Sequence, residues 1–213
     1  MSLGIFGGTF NPVHFAHLRL AEEVREALAL ERVLFIPSAD PPHKDRDLAA
    51  ANQRLEMVQL AIASNPSFEA LDVELRRPGP SYSVDTLRML SQRYAGKPLW
   101  FLMGTDTLAE LDTWHEPETF LGLTNIAVVG RPGSLQCALE LLVPERLAGS
   151  FVAGRGLLRH PSGHEIRSVP FPPLGVSASE IRRRVARGAS IQYLVPDTVI
   201  DYIQKNRLYE GAA

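Results

Sequence analysis

Residues 4–17 read Gly4-Ile5-Phe6-Gly7-Gly8-Thr9-Phe10-Asn11-Pro12-Val13-His14-Phe15-Ala16-His17. The run begins with apolar residues, as a short buried strand does, and the glycine pair Gly7-Gly8 ends that predicted strand. Apolar residues then recur at helical spacing, so a helix is predicted to begin within the following residues. A strand, a glycine turn and a helix start together offer backbone amides to an anion. The run is neither the glycine fingerprint of nicotinamide dehydrogenases nor a P-loop, because no lysine stands at the required place.

The rest of the chain repeats this alternation of short apolar runs and longer amphipathic ones. Strand and helix in turn are typical of βαβ units around a parallel sheet. We therefore expect an α/β, Rossmann-like, doubly wound and mainly parallel sheet with a small helical C-terminal part. Residues 1–213 are expected to form a single domain, with residues 173–213 as its helical extension. The predicted strands are Leu3–Phe6, Val33–Ile36, Phe68–Leu75, Leu99–Met103 and Ile126–Val129, and the predicted later helices are Asn52–Ala63, Ser83–Tyr94, Ser177–Arg187 and Pro196–Asn206.

Composition excludes several classes of protein. The chain has 213 residues, 45% hydrophobic, and a formal net charge of -2, so no overall positive field attracts nucleic acid or an acidic membrane. Cys137 is the single cysteine, which rules out an internal disulfide and is interpreted as a core thiol. Neither a signal peptide nor an apolar run of membrane-spanning length is apparent, so a cytoplasmic protein is expected.

His14 and His17 give the first loop a chemical meaning. They lie three positions apart, so they share one face if the helix has begun. Two imidazoles beside a glycine loop suit a phosphoryl group, whose oxygens gain negative charge during attack at phosphorus. A metal pair and an ordinary surface pair stay open as alternatives, although a metal needs further ligands that the neighbouring sequence does not obviously supply.

The loop closely resembles the nucleotidyltransferase signature that ends in His-x-Gly-His. It is most similar to that of the bacterial nicotinate mononucleotide adenylyltransferases. One position departs from the pattern, because Ala16 stands where the family has glycine. Alanine is the smallest replacement and leaves both histidines in place, so catalysis is not expected to suffer.

A second signature lies near the C-terminus, where the family has Ile-Ser-Ser-Thr-x-Ile-Arg. Here Val176 to Arg182 follow that pattern, with Ala178 in place of the second serine and Ser179 in place of threonine. Ser177 and Glu180 form a capping box, which predicts a helix start whose amides and dipole favour an anion. By itself the segment also fits a capped surface helix. Paired with the first loop, it predicts a triphosphate site next to a basic cluster of Arg182, Arg183, Arg184 and Arg187.

Three further segments resemble this family and concern the choice of substrate. His43 and Lys44 lie on a proline-stiffened loop suited to a phosphate monoester. Tyr82 and Thr86 flank a helix start that would present amides to the nicotinate carboxylate. Trp114 lies in a polar loop after a buried strand, where an indole either stacks on a pyridine ring or covers the core.

The resemblance implies a complete set of site residues. His14, His17 and Arg182 would be catalytic. ATP would contact Gly7, Gly8, Thr9, Phe10, His14, His17, Gly104, Asp106, Arg131, Ser177, Ser179 and Arg182. The mononucleotide would contact Gly8, Thr9, His43, Lys44, Tyr82, Thr86 and Trp114.

The implied reaction joins the AMP part of ATP to nicotinate mononucleotide, with release of pyrophosphate. Mg²⁺ is expected to arrive on ATP without dedicated protein ligands, since magnesium often keeps mainly water and phosphate ligands. ATP and nicotinate mononucleotide are the expected partners, with no nucleic acid and no membrane. Two alternatives stay open. One is a transferase for another phosphomonoester such as phosphopantetheine, and the other is a non-catalytic nucleotide sensor on the same fold.

Overall fold

The computed structural model describes residues 1–41, 48–130, 139–154, 156–171 and 174–211. Five of its strands coincide with the predicted ones. Four of these are longer than predicted by at least one residue, and the third is shorter. Three more strands lie between residues 152 and 170. The strands are β1 Leu3–Gly8, β2 Arg32–Pro37, β3 Phe68–Ala70, β4 Leu99–Gly104, β5 Asn125–Gly130, β6 Val152–Gly154, β7 Leu157–Arg159 and β8 Glu165–Pro170.

The helices of the described residues also follow the predicted pattern, with short additional ones after β4. Two 3₁₀ turns, Leu111–Thr113 and Leu139–Leu142, lie between them. The helices are α1 Phe15–Ala27, α2 Ala51–Ile62, α3 Ser83–Arg93, α4 Thr105–Ala109, α5 Pro117–Leu121, α6 Glu145–Ala148, α7 Ala178–Ala186 and α8 Asp197–Lys205.

The strands form one sheet in the order β3-β2-β1-β4-β5-β8-β7-β6. Strand β4 pairs parallel with β1 and β5, and β5 pairs parallel with β8. At the far edge β6 and β7 pair antiparallel with each other, and β7 pairs antiparallel with β8. The expected α/β class with a mainly parallel sheet is confirmed. The antiparallel edge was not predicted, because β6 and β7 have only three residues each and β6 is exposed throughout.

The prediction of a strand over Phe68–Leu75 was wrong in length. Strand β3 ends at Ala70, and residues 73–76 form a turn. The turn is closed by the amide of Arg76, which donates to the carbonyl of Asp72 at 3.1 Å. The sequence alternates as a strand would, but the segment buries Leu71 and Glu74, which are three positions apart, so the alternation did not predict the local conformation.

Contacts divide the chain into two compact units. The first comprises Met1–Phe6, Ala21–Val33 and Tyr82–Pro173, and the second comprises Gly7–Leu20, Leu34–Ser81 and Leu174–Ala213. The single domain over residues 1–213 therefore stays a prediction. None of the helices within the described ranges is long and apolar enough to cross a membrane.

Each unit has an apolar core of its own. In the first unit the side chains of β4 and β5 are buried almost throughout, as their unbroken apolar sequences predict. In the second unit α8 packs against α2, where Val199 and Ile203 are buried with Met57 and Val58. These cores hold the loops that carry the predicted site residues.

Candidate functional site

The glycine loop of the second unit is shaped around Phe10. Its φ angle is 47°, a left-handed conformation that residues other than glycine adopt rarely. The ring is buried and lies 5.7 Å from that of Phe35, centroid to centroid. A Cβ atom on Gly8 would come within 3.3 Å of the Phe10 ring, so a larger residue there would displace the ring. Gly8 thus allows the Phe10 ring to pack closely against the backbone of the loop.

His14 and His17 come together at the start of α1. The His14 carbonyl accepts from the amides of His17 and Leu18, at 2.9 and 3.2 Å, so His14 lies directly before the helix. The two imidazole rings stack with centroids 3.6 Å apart and planes 19° apart. The predicted shared face is therefore present, and the rings touch each other.

The surroundings keep both imidazoles uncharged near neutral pH. Burial lowers the pKa of His14 to about 4. Burial also lowers the pKa of His17, and the charge of a protonated His14 would lower it further. The His14 amide donates to His17 Nδ1 at 3.3 Å, so the neutral His17 carries its proton on Nε2. His17 is therefore a neutral N–H donor.

His14 Nδ1 is buried and has no hydrogen-bond partner among the described residues. The described ranges also contain no group of three His, Cys, Asp or Glu side chains arranged to hold a metal ion. A buried imidazole nitrogen at the edge of a glycine loop suits an oxygen of a bound ligand.

The second predicted signature forms helix α7. Ser177 is its N-cap, and the Ser177 hydroxyl accepts from the Glu180 amide at 3.3 Å, as the capping pattern predicts. Ser177 and Ser179 are exposed, with their hydroxyl oxygens 3.4 Å apart. The helix ends before Gly188, which has a φ angle of 67°. The hydroxyls and first amides of α7 therefore lie at an accessible helix start.

The four arginines of the predicted basic cluster make different contacts. Arg183, Arg184 and Arg187 each lie within 3.2 Å of a Glu180 carboxylate oxygen, which neutralises part of their charge. Arg182 instead donates from Nη1 to the carbonyl oxygen of Asn11, at 2.9 Å. Arg182 is thus tied to the histidine loop, within the same unit.

In the first unit two of the three segments expected to choose the substrate meet. The rings of Tyr82 and His115 stack with centroids 4.2 Å apart. Tyr82 is the N-cap of α3, while His115 follows Trp114. Thr86 is buried and its hydroxyl lies 3.5 Å from the Tyr82 carbonyl, so it supports the turn. Sequence reasoning did not select His115, although its position beside Trp114 was a signal.

Trp114 is half-buried and packs against two aromatic side chains of the first unit. Its indole makes edge contacts with Phe101 and Phe120, at centroid distances of 5.9 and 5.2 Å. Strand β4 ends at Gly104, and Asp106 is exposed in the first turn of α4. Trp114 therefore covers part of the core, and its stacking on a pyridine ring stays a prediction.

A network of charged side chains connects the Tyr82 segment with the Trp114 segment. Arg88 donates to Asp85 at 3.0 Å and also pairs with Glu116, whose carboxylate accepts from Thr119 at 3.0 Å. Arg88 lowers the pKa of Glu116. The contacts join α3, which Tyr82 caps, to the residues directly after Trp114 and His115.

Three predicted site residues lie outside the described ranges, namely His43, Lys44 and Arg131, and so does Cys137, which was interpreted as a core thiol. Gly7, Gly8, Thr9, Phe10, His14, His17, Ser177, Ser179 and Arg182 belong to the second unit, and Tyr82, Thr86, Gly104, Asp106 and Trp114 belong to the first. Sequence reasoning missed three residues of the second unit with buried polar contacts, namely Asn11, Arg54 and Tyr209.

Comparison with known proteins places this site in a class. The cytidylyltransferase-like family matches residues 5–184, a span that includes both histidines and Arg182. The chain is therefore a nucleotidyltransferase of the cytidylyltransferase-like class.

Relatives along the whole chain define the class more narrowly. A protein of Citrifermentans bemidjiense is 47% identical over 100% of both chains, and one of Geobacter metallireducens is 46% identical over 98% of each. Both are named "probable nicotinate-nucleotide adenylyltransferase". The chain belongs to the nicotinate-nucleotide adenylyltransferases within the cytidylyltransferase-like family.

Solved structures agree in fold. Plasmodium falciparum nicotinic acid mononucleotide adenylyltransferase complexed with NaAD has a TM-score of 0.75 and 18% identity, over 98% of this chain and 97% of that one. The same enzyme complexed with APC has a TM-score of 0.73 and 17% identity. At this identity the likeness supports the fold alone.

Proposed function

We propose that this protein transfers the adenylyl group of ATP to nicotinate mononucleotide, giving the deamido-NAD dinucleotide and pyrophosphate. The observation that carries the proposal is the stacked, uncharged pair of His14 and His17 beside the glycine loop. Full-length identity of 47% to a relative named for this reaction supports the choice of substrates.

The proposed chemistry is one in-line displacement. An oxygen of the mononucleotide 5′-phosphate forms a bond to the α-phosphorus of ATP, and the bond from that phosphorus to the bridging oxygen breaks. Its electron pair leaves with pyrophosphate. A phosphate dianion is already nucleophilic at neutral pH, so no general base is needed. Orientation of the two substrates supplies much of the rate, with a contribution of up to about 7–11 kcal/mol.

The histidines stabilise the transition state as neutral donors. His17 directs its Nε2 proton outward from its contact with the His14 amide, so it donates to a phosphoryl oxygen without giving up the proton. Arg182 and the start of α7 provide the positive charge and amides for the departing pyrophosphate. Mg²⁺ would accompany the triphosphate and offset its charge. We also propose a cytoplasmic location, based on the single cysteine.

Pyrophosphate release tests the function directly. The protein is mixed with ATP, Mg²⁺ and one of nicotinate mononucleotide, nicotinamide mononucleotide or phosphopantetheine. Release with nicotinate mononucleotide supports the proposal. Release with phosphopantetheine alone would assign another acceptor, and nucleotide binding without any release would assign a sensor.

The start of α3 predicts the choice between the two pyridine nucleotides. Amides at a helix start favour a carboxylate through hydrogen bonds and the dipole, while a carboxamide turns its NH₂ toward the same donors. Two such mismatches at about 1–3 kcal/mol each give a preference of about a hundredfold for nicotinate mononucleotide. The measurement is the ratio of kcat/KM values at saturating ATP. Trp114→Ala serves as the comparison, because loss of stacking should lower both kcat/KM values and leave their ratio unchanged. Equal values in the wild type would overturn this site.

Arg182→Ala is expected to impair use of ATP selectively. Loss of a charged hydrogen bond to phosphate costs about 1.5–3 kcal/mol, or about tenfold to a hundredfold in kcat/KM for ATP. Binding of the mononucleotide, measured by calorimetry, should stay nearly the same. Arg183→Ala is the matched control, because Arg183 is on the same helix and pairs with Glu180. An equal loss for both substrates would contradict the assignment to the triphosphate.

A further inference from the structure

Asn11 is a buried junction of the histidine loop. It is 2% exposed, and its side-chain oxygen accepts from the Ala49 amide at 3.1 Å and from the Tyr209 hydroxyl at 2.8 Å. Its backbone carbonyl accepts from Arg182 at 2.9 Å. Asn11 thus joins the loop to the start of α2, to α7 and to the C-terminal turn, all in the second unit.

The loop needs such support because its backbone is strained. Phe10, directly before Asn11, has its left-handed φ angle of 47° although it is a bulky residue. A conformation of this kind persists only where surrounding contacts hold it. The Phe10 ring makes an edge contact with His17 at 5.1 Å, so a shift of Phe10 would move the catalytic imidazole.

Tyr209 provides the support from the far end of the chain. It is 8% exposed and lies after α8, in a turn where its own φ angle is 65°. Burial raises the pKa of Tyr209, so the hydroxyl stays protonated and donates to Asn11. A second contact from the same part of the chain reaches α1, where the Phe15 amide donates to the Leu194 carbonyl at 3.1 Å.

We propose that Tyr209 is a positioning residue for adenylyl transfer. Its hydroxyl holds Asn11 in place, Asn11 fixes the neighbouring strained residue Phe10, and the Phe10 ring in turn holds the His17 imidazole. This inference rests on the proposed function. Tyr209 and Leu194 lie beyond residues 5–184, the span that the family model matches. The support that they give to the histidine loop is therefore separate from the two signatures. The C-terminal segment thereby contributes to catalysis without touching substrate.

Tyr209→Phe tests the proposal, because it removes the hydroxyl and keeps the ring in the core. Loss of one buried hydrogen bond is expected to lower kcat about fivefold, with the KM for nicotinate mononucleotide within about twofold of the wild-type value. Amide hydrogen exchange of the peptide over residues 9–17 should become faster, because the loop is held less firmly. Tyr193→Phe is the matched control, since Tyr193 is 83% exposed, and it should change neither quantity.

The His17→Ala background separates positioning from a general structural effect. If Tyr209 acts through His17, adding Tyr209→Phe to His17→Ala should cause little further loss of turnover. Multiplicative losses, or unchanged exchange over residues 9–17, would overturn the inference. Exchange is measured without substrate, so it does not depend on the proposed function. If the wild-type protein releases no pyrophosphate, but exchange over residues 9–17 is faster in Tyr209→Phe than in the wild type, only the proposed function is refuted. The positioning contact would then still be supported.

Discussion

Replacement of His17 by alanine is expected to lower turnover by about a hundredfold or more while the protein stays folded. This is the typical loss on removal of one fixed donor to a developing oxyanion. The structure identifies the donor as the Nε2–H group, because His17 is neutral and its Nδ1 accepts from the His14 amide. Steady-state turnover with saturating ATP and nicotinate mononucleotide is the measurement, with circular dichroism to verify the fold. His14→Ala should behave similarly.

Two further variants show whether donation is the cause. His17→Asn keeps an N–H group on a shorter side chain and should recover part of the activity lost in His17→Ala. His160→Ala is the control, because His160 is in the first unit and contacts Ser162 on an exposed turn. It should leave turnover unchanged. Near-normal turnover of His17→Ala would make His17 a structural residue and remove the main support for the mechanism.

Replacement of Arg54 by methionine is expected to lower the free energy of unfolding by about 3 kcal/mol. The Arg54 side chain is completely buried, and its guanidinium donates to the carbonyls of Thr9, Ser38 and Ala49 at 2.7, 2.6 and 2.9 Å. Each carbonyl would lose a charged donor, at about 1 kcal/mol or more apiece. Removal of the buried charge offsets part of that loss. Urea denaturation followed by circular dichroism measures the difference.

Lysine is not expected to restore the full stability that Arg54 provides. Burial lowers the pKa of Arg54, and the negative charge of Glu74 opposes that decrease. Arg54→Lys keeps the charge but lacks the planar fork that reaches three carbonyls at once, so it should restore less than half of the lost stability. Arg76→Met is the matched control, because Arg76 is 78% exposed and pairs with Asp72. Equal stability of wild type and Arg54→Met would show that the carbonyls find other donors.

Local patterns predicted those parts of the protein whose cause is local. The glycine turn, the spacing of His14 and His17, and the cap at Ser177 each depend on residues within a few positions of one another. Buried strands such as β4 and β5 also show themselves as unbroken apolar runs. The family resemblance added the substrates, which the residue patterns alone left open.

Other features escaped prediction because their partners are distant in sequence. Arg54 resembles any polar residue of an amphipathic helix until the fold brings Thr9 and Ser38 to its guanidinium. Strands β6 and β7 have three residues each and depend on pairing with β8 for their conformation. The contact of Arg182 with Asn11 also could not be predicted, because the two residues are far apart in the sequence and only folding brings them together.

By itself, therefore, the sequence determined the α/β class, the histidine loop, the capped helix α7 and the family. The first three follow from periodicity, turn chemistry and short spacing, which depend on residues close together in the sequence, and the family follows from the resemblance of its two signatures. Tertiary structure alone decided that both imidazoles are neutral, since their pKa values depend on burial and on the stacked ring. It also decided that Tyr209 contacts Asn11, because a hydrogen bond between residues so far apart in the chain requires the completed fold.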